Sequence, residues 1–193
     1  MATAPAASAK PRPPTWVAVP RLAGRLTAAD IGLVINIADP YSVAVGAHYI
    51  RRRGLTPQQV LRVSLPTAAA LTREDFERLR EAIQRRFDGR AQALALAWVA
   101  PYAVECNSIT GALALGFDGE LCQNSCAPSR PSRYFNSPSL RPWADVGWRP
   151  SMLLAAPSIE QARALIDRGV ASDGVLARVG RPPVTAMLLL TDD

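Results

Sequence analysis

Asp39, Cys106 and Asp173 are the residues of this 193-residue sequence whose chemistry and placement could support hydrolysis. A thiolate can attack an electrophilic carbon, and a nearby carboxylate can move a proton. Asp39 and Cys106 follow apolar runs that read as strands, and Asp173 follows a predicted helix. Asn36 and Ser42 flank Asp39 and add polar groups to the same ligand edge. A bland reading competes at this join. Asp39 can cap a helix that begins at Pro40, a role worth about 0.5 to 2 kcal/mol, and an acid in that position occupies the helix amides and repels phosphate. The join therefore reads as a corner first and a binding site second. No glycine-rich phosphate loop follows the strand, so neither a dinucleotide fingerprint nor a nucleotide-binding loop is present, and no cofactor is expected.

The three cysteines, Cys106, Cys122 and Cys126, lie at or beyond the carboxyl end of the third predicted strand. In an oxidising compartment two of them would pair, most simply Cys106 with one of the others, leaving an odd thiol. A zinc site is the weaker reading, because only three thiolates are at hand and the sole histidine, His48, sits in a predicted helix far away in sequence. No metal is expected, and His48 reads as a partly buried helix residue. Asp167, Arg168, Asp173, Asp192 and Asp193 could form an acidic rim for a cation or for acid/base work, but exposed carboxylates near turns are ordinarily just solvated, and that reading is preferred. Tyr134, Phe135, Trp143 and Trp148, interspersed with Arg130, Arg133, Arg141 and Arg149, are of the types that anchor protein interfaces. They are expected to meet a partner or a further part of the protein.

These side chains need a scaffold, and the hydrophobic pattern supplies one. "IGLVINI", residues 31 to 37, is a continuous β-branched run suited to a strand covered on both faces. A helix follows, with Arg51, Arg52 and Arg53 in its last turn and Gly54 just past it. "VLRVSL", residues 60 to 65, makes a second strand and completes a βαβ unit. Thr72 and Asp75 open a helix through Phe87, with Phe76, Leu79, Ile83 and Phe87 on one face. "ALALAWV" (93 to 99), "SMLLAA" (151 to 156) and "PVTAMLLL" (183 to 190) read as three more strands. Ser158 and Gln161 start a helix expected to run through Arg168 and stop at Gly169. The sum is an α/β fold: an open, mostly parallel sheet of about five strands with helices on both faces, incomplete at the carboxyl terminus because the last strand lacks a covering helix. Residues 1 to 14 read as a disordered Ala/Pro-rich tail, and 15 to 193 as one domain with an irregular insertion at 117 to 150.

Composition limits the function classes. The net charge is +6, but Lys10, Arg12, Arg21 and Arg25 precede the first acid, Asp30, and without them 18 basic residues face 16 acidic ones. Basicity is thus a tail property, the three consecutive arginines fan around a helix, and nucleic acid is not an expected partner. No run approaches the roughly 20 apolar residues of a membrane span, and nothing reads as a signal peptide.

"VINIADPYSVAVGAHYIRRRGLTPQQVLRVSLP", "ECNSITGALALGF", "YFNSPS", "RPSMLLAAPSIEQARALIDRGVASDG" and "LLLTDD", in that order from about Ala29 onward, resemble the amino-terminal half of an uncharacterised bacterial family. Its members co-occur with the exosortase protein-sorting system, which handles PEP-CTERM proteins. The resemblance implies an extracytoplasmic setting, a protein partner from that sorting context, and no known activity. It also implies a secretory leader and a long carboxyl-terminal region, neither of which stands in these residues, so a truncated or split version is expected. Caspase-like and gingipain-like peptidases share the general layout and pair a His after one strand with a Cys after the next. Here "WVAPYAVEC" supplies Cys106 without a His and "MLLAAPS" supplies no Cys, so that dyad is not expected. Two functions stand: a noncatalytic envelope-associated component acting through its loop edge, and a hydrolase-like enzyme at the carboxyl edge of the sheet.

Overall fold

The computed structural model of the protein describes residues 26–124, 131–135 and 137–174. A 3₁₀ turn at Ala28–Asp30 leads into β1 (Ile31–Asn36), α1 (Pro40–Arg53), a second turn at Pro57–Gln59 and β2 (Val60–Val63). Then come β3 (Ala70–Leu71), α2 (Arg73–Phe87), β4 (Ala93–Leu96), β5 (Ala103–Val104), β6 (Asn107–Ser108) and α3 (Ile109–Leu115). The described chain ends with α4 (Glu120–Gln123), α5 (Pro142–Val146), β7 (Ser151–Leu153) and α6 (Ile159–Ser172).

Four strands form an open parallel sheet in the order β2-β1-β4-β7. Their side chains alternate between two cores, as the period of a strand requires. Val34, Leu94, Leu96 and Trp98 face α2 and α3, while Leu33, Ile35, Ala95 and Ala97 face α1 and α6. The apolar stripe of α2 is buried as its spacing predicts, with Phe76, Leu79, Ile83 and Phe87 at most 3% exposed. Thus the parallel sheet and the helices on both faces are as expected. The fifth expected strand, 183 to 190, and the tail, 1 to 14, lie outside the described residues.

The strands are shorter than their apolar runs because pairing thins at the carboxyl edge. Single backbone bonds continue it, from Ile37 N to Val63 O (2.8 Å), Ala97 N to Val34 O (3.0 Å) and Leu154 N to Leu96 O (2.8 Å). Beyond that edge lies a small mixed sheet, β3-β5-β6, which the sequence does not announce. Its strands are two residues long, too short to show a period. The 117 to 150 segment is less irregular than expected, since it contains α4 and α5. α6 also differs. It passes through Gly169 and ends at Ser172, with Gly174 in the left-handed region (φ +69°). Gly169 instead faces α1, where an added Cβ would lie 3.5 Å from Arg53 Nη2.

Close approach decides how α1 sits on the sheet. A Cβ at Gly46 would fall 2.6 Å from Ile35 Cδ1 and 2.7 Å from Cγ1, inside van der Waals contact. Only a residue without a side chain lets the helix seat at this depth. Gly46→Val is therefore expected to lower stability by about 1 to 3 kcal/mol through overpacking, read as a reduced urea midpoint with an unchanged slope.

Candidate functional site at the carboxyl edge of the sheet

In the order β2-β1-β4-β7 the chain leaves β1 toward one side and later crosses to the other, so the strand order reverses between β1 and β4. Ligands of open α/β sheets bind outside the carboxyl ends at such a point. Here that position is occupied by internal bonds. Asn36 is fully buried, and its Oδ1 accepts from Leu65 N (3.0 Å) and Ala38 N (3.2 Å) while Nδ2 donates to Leu65 O (3.1 Å). Ser42, also fully buried, accepts from Asn36 N through Oγ at 2.8 Å. Asp39 caps α1 by accepting from Tyr41 N at 2.9 Å, with Pro40 in the first turn. Tyr41 reaches across to the strand beyond β4. Its hydroxyl donates to Leu154 O and accepts from Ala156 N, both at 2.9 Å, and burial pushes its phenol pKa up.

Cys106 lies in a separate hairpin of the same edge and is bonded to Cys122, with Cα atoms 5.1 Å apart. Both cysteines are exposed, and Glu105 before them turns the chain at φ +48°. Asn107 holds the far end of the loop by donating from Nδ2 to Asp118 O (2.8 Å) and accepting from Asp118 N at Oδ1 (3.1 Å). Ser108 caps α3 through Gly111 N at 3.1 Å. Between the bridge, α3 and Phe117 a cavity of about 140 Å³ remains. Cys126 lies outside the described residues.

Asp173 does not join this group. It pairs with Arg53 at the last turn of α1, so the 14 residues of that helix separate it from Asp39 by about 20 Å. Asp167 is likewise engaged, accepting from Arg52 Nε at 2.6 Å and lying 2.9 Å from His48 Nε2. The hydrogen bond with His48, then that with Arg52, holds its carboxyl below the usual range. The arginine run thus ties α1 to α6 as well as ending a helix. His48 is partly buried, as expected, but has a specific partner.

The aromatic excursion is built from internal contacts. Tyr134 stacks on Trp148 with centroids 4.8 Å apart, and its hydroxyl donates to Ser139 O (2.9 Å). The Arg149 guanidinium lies 3.7 Å from the Trp143 ring centroid. Phe135, by contrast, is 78% exposed. Two supporting residues escaped sequence reasoning. Buried Gln92 accepts at Oε1 from Trp143 N and Ala144 N, both 3.1 Å, and so caps α5. Buried Arg149 donates to Ala91 O (3.1 Å) and Phe87 O (3.3 Å), the carbonyl end of α2. Burial lowers its pKa to about 10, with Asp88 pulling the other way. The available signal was a glutamine directly before one apolar strand and an arginine one residue short of another.

No protein-family model matches the chain, and neither a curated protein nor a solved structure is significantly similar to it. Among the described residues no helix is long and apolar enough to cross a membrane, and no three potential ligands cluster to hold a metal ion.

Two substitutions separate clamp from cap. Asn36→Ala leaves the buried Leu65 amide and carbonyl without partners, at about 1 to 3 kcal/mol each. Asp39→Ala removes only a cap, at about 0.5 to 2 kcal/mol, so chemical denaturation should rank Asn36→Ala as the more damaging. The Asp167 bonds predict a pH effect. Its folded pKa is depressed, so their contribution is present above the ordinary aspartate value and fades as pH falls through the folded one. The difference in melting temperature between wild type and Asp167→Asn should therefore persist while Asp167 stays ionised and shrink once acidification below the ordinary aspartate range protonates it.

Proposed function

We propose that this protein is a noncatalytic, extracytoplasmic binding component linked to exosortase-type protein sorting, which contacts a protein partner through the loop edge that carries Phe135, held at the amino ends of β4 and β7 by Gln92 and Arg149 and not at the carboxyl edge. The observation that carries the reading is Phe135, an aromatic side chain 78% exposed beside the stacked pair Tyr134 and Trp148. An apolar anchor on a support already ordered loses little freedom on binding, which favours recognition. The exposed Cys106–Cys122 bridge belongs with an oxidising compartment. The sorting context itself comes from the resemblance of the ordered motifs described above. A hydrolase-like alternative would use the carboxyl edge, but Asp39, Asn36 and Ser42 each carry a structural bond there and the Cys106 sulfur is in the bridge.

The test is site-specific photocrosslinking in cells. With the crosslinker at position 135, one discrete adduct is expected, and it should vanish in cells lacking an exosortase-type sorting system. The same crosslinker at Glu81, on the exposed side of α2, should give none. Absence of an adduct at 135, or equal adducts at both positions, rejects the proposal.

A further inference from the structure

α3 and α5 leave a groove between them made of two adjoining cavities, about 280 and 250 Å³, that share Ala114, Leu115 and Gly147 as a common wall. Its charge is one-sided. Arg80 and Arg149 line the first cavity and Arg133 the second, and no aspartate or glutamate lines either. Arg149 is 4% exposed, and its two hydrogen bonds go to backbone carbonyls. It forms no ion pair within 4.0 Å among the described residues, so this buried cation in the floor has no carboxylate in direct contact, although Asp88 acts on it from further away. Such a group is stabilised when a carboxylate reaches it, and a guanidinium offers the paired donors that a carboxylate accepts. Arg80 shares Glu77 through Nε and Nη2, which leaves Nη1 for another acceptor. Arg133 is exposed and has no acidic partner among the described residues. Between the arginines the walls are apolar, formed by Leu115 with Ile83 and Leu94 behind it.

We propose that this groove takes an extended acidic peptide segment of a protein partner, with carboxylates at its two arginine ends and an apolar residue over Leu115. The inference rests on the binding-component reading and names the chemistry of what is bound. A cavity of this size admits one side chain at a time, and the alternation of arginine, apolar wall and arginine sets the order acid, apolar, acid. Opposite charge across the groove also makes association sensitive to salt.

The full chain is titrated against a fluorescein-labelled decapeptide alternating glutamate with leucine and glycine, with a lysine counterpart as control and free succinate as a competitor. Anisotropy should report saturable binding of the glutamate peptide, weakened by added salt, and none of the lysine peptide. Arg80→Glu with Arg133→Glu, both at exposed positions and checked for folding by circular dichroism, should weaken binding more than about tenfold, a loss of roughly 1.4 kcal/mol. No binding at about 1 mM peptide, equal binding of the lysine peptide, or unchanged affinity in the double variant overturns the proposal. Displacement by succinate at the peptide's own concentration overturns the peptide occupant and reassigns the groove to a small acid. Failure here with the adduct at position 135 intact removes the groove alone, whereas loss of that adduct removes the reading beneath it.

Discussion

A parallel sheet leaves unpaired backbone groups wherever a strand runs past its neighbour, and in this protein the Asn36 amide answers that constraint at the centre of the molecule. Its side chain behaves as an extra peptide unit, accepting from Leu65 N and donating to Leu65 O, so the end of β1 is joined to the chain after β2. Because Asn36 N itself donates to Ser42, the first turn of α1 is fixed to the same point. The depth at which α1 then lies depends on Gly46 against Ile35. Buried polar groups of this kind are costly when half satisfied and rigid when complete. Here, the cluster is complete, and the position that an open α/β fold most often gives to a ligand serves to hold three segments together.

A second set of polar residues does the same work for the long excursion. Gln92 supplies the cap that the sequence around α5 lacks, since Arg141 before it makes no side-chain cap. Arg149 meets the carbonyl end of α2 from the opposite side, where a positive charge complements the helix dipole. Its guanidinium also covers Trp143. The excursion is thus anchored by side chains of the sheet and its neighbours, and its remaining cationic character points outward along the α3–α5 groove.

How much of this could be read from the chain depends on whether a signal is periodic or singular. β1, α1, α2 and α6 are legible from their apolar patterns, and the caps at Asp39, Thr72 and Ser158 mark the starts of the three helices as residue chemistry requires. The small sheet is illegible, since two-residue strands carry no repeat. Gly169 misleads for a related reason: glycine ends helices, yet it also permits close packing, and only the presence of Arg53 decides which. At the carboxyl edge the positions of Asp39, Asn36 and Ser42 and the cap made by Asp39 were evident, but the bonds of Asn36 and Ser42 were not. Asn36 meets Leu65 across 29 residues, and Asp173 is drawn to Arg53 across 120. Such pairings belong to topology and have no local trace.

The two cores also differ in covalent reinforcement. The Cys106–Cys122 bond spans 16 residues and encloses α3, which packs on the α2 side of β7, so loop-closure entropy of about 3 kcal/mol stabilises that side alone. The α1–α6 side is joined by ion pairs and apolar contact, with no sulfur bond among the described residues. Reduction would therefore act as an asymmetric loosening: the α1–α6 side keeps its ion pairs and apolar contacts through a change of redox environment while the α2–α3 side slackens.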